Sequence, residues 1–175
     1  MLDPSKIKVI FFDIMKTLID PSSCPREEMA EYVRVFCADP WEPVVVPEAW
    51  FTLHAFPDAV EGVRRLQAAD FRCVALSNVP SYAVEVMTEN AGLWMDAVPL
   101  EEERVYKPKQ RAYDFAAQWC EVLPMDCLMV TANPKLGGHQ FGDVEAARSV
   151  GMQAQLVRNP GCPQTIIELA ELLGA

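Results

Sequence analysis

The most regular feature of the chain is a set of short apolar runs separated by amphipathic stretches. Residues 8–12 (Lys8-Val9-Ile10-Phe11-Phe12) form a continuous apolar run of the kind expected from a strand buried on both faces. Residues 72–76, 127–130 and 153–157 have the same character, and each run stops at a polar residue or a turn. Between them, residues 59–68 place Val60, Val63 and Leu66 on one helical face, and 82–90, 112–119 and 143–150 show the same period. Strand and helix therefore alternate. Alternation of this kind predicts a parallel sheet with helices on both faces, a three-layer Rossmann-like α/β fold. In such folds the functional site lies beyond the carboxyl ends of the strands.

The alternation lapses between residues 20 and 56. One helix is expected over 26–36, followed by a proline-rich aromatic stretch that carries Trp41, Trp50 and Phe51. These residues read as a small cap insert, 20–56, over a core made of 1–19 and 57–175. No internal repeat or low-complexity segment interrupts the pattern.

Composition narrows the function classes. A 175-residue chain that is 51% hydrophobic and 23% charged has the make-up of one globular core. Its 15 basic and 25 acidic residues give a net charge of −10, which repels nucleic acid in the absence of a basic patch. No apolar run approaches the ~20 residues needed to cross a bilayer, and the opening residues lack a signal-peptide core, so a cytoplasmic protein is expected. The six cysteines, Cys24, Cys37, Cys73, Cys120, Cys127 and Cys162, show no C-x-x-C spacing and read as reduced thiols.

The strand ends then supply the candidate chemistry. The first delivers Asp13, a carboxylate placed to attack an electrophile. The second ends at Ser77-Asn78, suited to an anionic group. Lys107 precedes a helix, Thr131-Ala132-Asn133 follows the 127–130 run, and Asp143 opens the next helix. Singly, each of these residues has an ordinary role as turn former, helix cap or surface charge.

Together the segments VIFFDIMKTL, VALSN, RVYKPKQRAYDFAAQ, MVTAN and FGDVEAARSVGM resemble, in order and context, the motifs of the haloacid dehalogenase superfamily of hydrolases. The resemblance covers essentially the whole chain except the insert. It implies a nucleophilic Asp13 that forms an aspartyl ester. It also implies that Thr17, Ser77 and Asn78 position the substrate, that Lys107 pairs with the nucleophile and the substrate charge, and that Asp143 completes the acidic end of the site.

Met15 stands where phosphatases of this superfamily carry a second aspartate, and a thioether cannot protonate a leaving group. Halide needs no proton, so the branch resembled is that of the 2-haloacid dehalogenases, whose Ser-x-Asn is echoed by Thr131 and Asn133. That branch implies a small anionic substrate and no cofactor. A phosphatase would instead hold Mg²⁺ through Asp13, the Met15 carbonyl and Asp143. A third reading is a binding protein that keeps the fold without turnover.

Three departures from the dehalogenase pattern stand out. Lys16 replaces a glycine. The insert is short, and neither Arg26 nor Arg34 aligns with the halide-binding arginine. Residues 134–142 form an inserted loop that would bring Lys135 or His139 over Asp13, with His139 placed to activate water. The aromatic insert is expected to cover the site, seal a homodimer or pack into the core.

Overall fold

The protein is described by a computed structural model covering residues 2–24, 27, 45–135 and 142–175. Five parallel strands, β1 (Val9–Phe12), β2 (Arg72–Ala75), β3 (Asp96–Ala97), β4 (Cys127–Thr131) and β5 (Gln153–Leu156), lie in the order β3-β2-β1-β4-β5. Val9 registers with Arg72 on one side and Cys127 on the other, which makes β1 the central strand. The chain runs outward from β1 through β2 to β3, then crosses back to β4 and β5. The reversal leaves a crevice beyond the ends of β1 and β4, directly after Phe12.

Every residue of β1 is buried, because helices cover both faces. Ile10 and Phe12 pack with one apolar cluster, which includes Leu66 of α1 (Pro57–Ala68), Met87 of α2 (Ser81–Asn90) and Leu169 of α5 (Ile166–Leu173). Val9 and Phe11 pack with a second, around Tyr113 of α3 (Gln110–Trp119) and Ala147 of α4 (Asp143–Ser149). The three-layer α/β fold expected from the alternation is what the chain adopts. On one face α1 and α5 touch at Gly62, where a Cβ would stand 2.6 Å from the Ile166 backbone carbon.

The two-residue β3 pairs with Val74 and Ala75 and is too short to leave a periodic signal. The helix α5, IIELAELL, lies beyond the expected elements and buries a face of Ile166, Leu169, Ala170 and Leu173. The helix expected over 26–36 lies, except for Glu27, outside the described residues. The described part of the insert packs against the core. Trp50 is 1% exposed, and its indole N–H donates to Cys24 Sγ at 3.2 Å, so this aromatic is a core residue. Backbone bonds from Phe56 N–H to the Leu18 carbonyl and from Asp20 N–H to the His54 carbonyl lay residues 54–56 along the segment after Asp13. No described helix is long and apolar enough to cross a membrane.

Candidate active site

Asp13 is the first residue beyond β1, and its N–H continues the ladder by donating to the Val130 carbonyl at 2.9 Å. The chain then turns sharply: the amides of Thr17, Leu18 and Ile19 all point at the Ile14 carbonyl. Lys16 adopts φ 69°, the left-handed region in which a glycine carries no penalty. Its side chain is exposed, so the ammonium that meets Asp13 comes from elsewhere.

That ammonium belongs to Lys107. Its Nζ donates to Asp13 Oδ1 at 2.8 Å and to Asp143 Oδ2 at 3.2 Å, with all three side chains almost wholly buried. Burial works against the Lys107 charge, but the fields of Asp13 and Asp143 and their hydrogen bonds outweigh it and hold the pKa above the ordinary lysine value. Asp143 is pushed above the usual carboxylate range, chiefly by burial, with Lys107 pulling it back and Asp13 adding to the rise.

The other oxygen of this carboxylate, Asp13 Oδ2, accepts from Asn133 Nδ2 at 2.6 Å and from Thr17 Oγ1 at 3.2 Å. Thr17 is held in turn, because its hydroxyl oxygen accepts the Ala132 N–H at 2.8 Å. Asn133 also donates to the Met15 carbonyl at 3.2 Å, and its own N–H is fixed by Thr131 Oγ1 at 3.0 Å. Thr131 Oγ1 thereby braces the turn that carries Asn133. The ends of β1 and β4 and the loop before α3 thus converge on one carboxylate, as the chain order of the motifs implied.

The β2 end is arranged differently. Asn78 Nδ2 donates to the Lys107 carbonyl at 2.9 Å and its Oδ1 accepts the Lys107 N–H at 2.8 Å, which makes it a clamp on the lysine backbone. Ser77 is buried, and its Oγ accepts the Val79 N–H at 3.1 Å, leaving its own proton to donate.

The oxygens that Mg²⁺ would take are each bonded to other groups of the chain in this arrangement. A lysine ammonium stands between the Asp13 and Asp143 carboxylates, and the Met15 carbonyl carries the Asn133 amide. Among the described residues no group of three or more His, Cys, Asp or Glu converges to hold a metal. The thioether of Met15 packs partly buried against the core.

No family model matches the chain. Among curated proteins it is similar to (S)-2-haloacid dehalogenase 1 of Pseudomonas sp. (strain CBS-3), with 30% identity over 89 residues. The match spans 49% of this chain and 39% of that enzyme, so the aligned part is well under half of the relative's length. Among solved structures, a defluorinating L-2-haloacid dehalogenase superposes with a TM-score of 0.74 at 20% identity, covering 97% of this chain and 96% of that one. The L-2-haloacid dehalogenase of Xanthobacter autotrophicus with chloropropionic acid covalently bound superposes with a TM-score of 0.63 at 22% identity, over 97% of this chain and 83% of that one.

The chain has the haloacid dehalogenase fold. The comparisons bear out the fold that the motifs implied, and the curated relative and these neighbours are themselves 2-haloacid dehalogenases.

Within this haloacid dehalogenase fold two residues assist the site that the sequence reading did not single out. Tyr113 of α3 is fully buried and its hydroxyl donates to Asp143 Oδ1 at 2.5 Å. Burial first, and then the Asp143 charge, drive its pKa up, so the phenol keeps its proton. In the sequence it looks like one more aromatic on the apolar face of a helix. Arg158, just past β5, donates from Nε to the Thr17 carbonyl at 3.0 Å. The residues placed over the site by the loop reading divide: Lys135 is exposed, and His139 lies outside the described residues, as do Arg26, Arg34 and Trp41.

Proposed function

We propose that the protein is a hydrolase of the 2-haloacid dehalogenase type, working on a small halogenated carboxylate through an aspartyl ester. An oxygen of Asp13 attacks the carbon that bears the halogen, the carbon–halogen bond breaks, and halide leaves with the bonding pair. Water then adds to the Asp13 carboxyl carbon, and the ester carbonyl–oxygen bond breaks to release the 2-hydroxy acid. The halogen-bearing carbon is displaced once, so its configuration inverts. Burial makes Asp143 more basic than an ordinary carboxylate, and it is the group that accepts the water proton. Lys107 keeps two close carboxylates compatible, and the Ser77 hydroxyl offers a donor to the substrate carboxylate.

The observation that carries this reading is the pairing of a buried, fully oriented Asp13 with Met15 at the next-but-one position. Both Asp13 oxygens are oriented by hydrogen bonds, whereas a thioether stands at the position where an alkoxide leaving group would find its proton donor. In this reading Lys107, bonded to both carboxylates, supplies the positive charge of the site. Cys73, Cys120, Cys127 and Cys162 are free thiols, which suits a reducing compartment such as the cytoplasm.

The direct test is chloride release from racemic 2-chloropropionate in EDTA, with Asp13→Asn as the control. Release by the native chain alone is expected. Absence of release, followed by Mg²⁺-dependent phosphate release from a phosphate-ester panel, would replace this reading with the phosphatase. Ligand stabilisation without turnover would favour the binding protein.

A further inference from the structure

Beyond the groups that touch Asp13, one largely buried charge is aimed at the same loop. The Arg158 guanidinium donates from Nε to the Thr17 carbonyl at 3.0 Å, from Nη2 to Asp58 Oδ2 at 2.9 Å and from Nη1 to the Gln164 carbonyl at 3.2 Å. Its carbon lies 4.0 Å from the centre of the Phe56 ring. The backbone beneath it has φ 57°, an uncommon conformation for a side-chain-bearing residue, and its N–H is tied to the Pro163 carbonyl at 2.8 Å. A planar fork of donors, stacked on a ring and fixed by a carboxylate, has one orientation. Thr17 is therefore held on both sides, its hydroxyl between Asp13 and the Ala132 N–H and its carbonyl by Arg158.

We propose that Arg158 is a positioning residue for the nucleophile: by gripping the Thr17 carbonyl it sets the Thr17 hydroxyl against Asp13 Oδ2. The proposal rests on the reading of Asp13 as the nucleophile. The competing role is a tie between segments only. Asp58 already accepts the Ile166 N–H at 2.6 Å, so the start of α1 and the start of α5 are joined without Arg158.

Two variants separate the roles. Arg158→Lys keeps the charge but loses the fork. Asp58→Asn keeps an acceptor for Ile166 but weakens the anchor of Arg158, and it serves if Arg158→Lys does not fold. Hydrogen exchange at the Leu18 and Ile19 amides, which bond the Ile14 carbonyl, reports on the nucleophile loop whether or not the chain turns over. The expected result is faster exchange at these two amides, with kcat on 2-chloropropionate down about tenfold to a hundredfold and KM little changed. Unchanged exchange there, with acceleration confined to Ile166 and its neighbours, overturns the proposal. A normal kcat in an active enzyme also overturns it. If the native chain releases no chloride, the dehalogenase reading fails by itself, and the exchange result still decides whether Arg158 orders the loop.

Discussion

The Tyr113 hydroxyl meets Asp143 Oδ1 at 2.5 Å while the Lys107 ammonium holds the other oxygen of the same carboxylate. Asp143 is thereby a buried anion with both oxygens engaged, and its pKa is a balance. Burial raises it, Lys107 lowers it, and the hydrogen bond from Tyr113 lowers it further. Replacing Tyr113 by Phe removes one charge-assisted bond inside the core, worth about 1.5–3 kcal/mol. Tyr113→Phe should melt several degrees lower, and the acid limb of its kcat profile should move to higher pH. A limb that stayed in place would detach Asp143 from that step.

Lys107 is the second lever. Lys107→Met leaves Asp13 and Asp143 facing each other without a counter-charge, a loss of about 3–5 kcal/mol for an uncompensated buried group. Turnover should vanish. Asp143 would also lose the charge that pulls its raised pKa back, so the stability of this variant should rise as pH falls from neutrality towards the ordinary carboxylate value of 3.8. Thermal melts across that range check the sign.

In the native chain the alkaline side is set by groups whose pKa values folding raises. The Lys107 contribution is complete below its unfolded value of 10.5 and is lost as pH climbs through the higher folded value. Tyr113 acts in the same sense above 10.0, because the unfolded phenol ionises first. The melting temperature should change little through these two groups between pH 7 and 9.5 and fall beyond 10, with a smaller fall in Tyr113→Phe.

Much of this arrangement was legible in the sequence. The run Val9–Phe12 announced a strand covered on both faces, and Asp13, Lys107 and Asp143 followed from motif order. What escaped were contacts made across long sequence distances by residues with ordinary local explanations. Tyr113 sits where α3 needs an apolar residue, and only the fold shows its hydroxyl 30 positions away from its partner. Arg158 reaches Thr17 across 141 positions. Asn78 was read as a substrate contact because amides bind anions, but here both its polar atoms are committed to the Lys107 backbone.

Lys16 separates stability from chemistry. Its φ of 69° costs a side-chain-bearing residue about 1 kcal/mol, and its side chain is exposed. Lys16→Gly should raise the melting temperature by about 2–4 °C for a domain of this size and leave kcat unchanged. A changed kcat would show that the ammonium reaches the substrate.

Gly142 offers the opposite case. A Cβ there would stand 2.2 Å from the Pro134 carbonyl oxygen, between Asn133 and Asp143, and backbone cannot yield as a side chain does. Gly142→Ala should lose about 1–3 kcal/mol and reduce kcat at least tenfold by displacing both neighbours. Calorimetry and steady-state kinetics on the same preparation check the pair of effects.

In the proposed reaction Asp13 becomes covalently bonded to substrate and water cleaves the ester at the Asp13 carboxyl carbon. Many turnovers of 2-chloropropionate in H₂¹⁸O, followed by mass spectrometry of the peptide containing Asp13, test this directly. Heavy oxygen is expected in the Asp13 carboxylate, because each cycle hands one of its oxygens to the product and replaces it from water. Product labelled from the first turnover with an unlabelled Asp13 would mean that water attacks the substrate itself, and would contradict the proposed reaction.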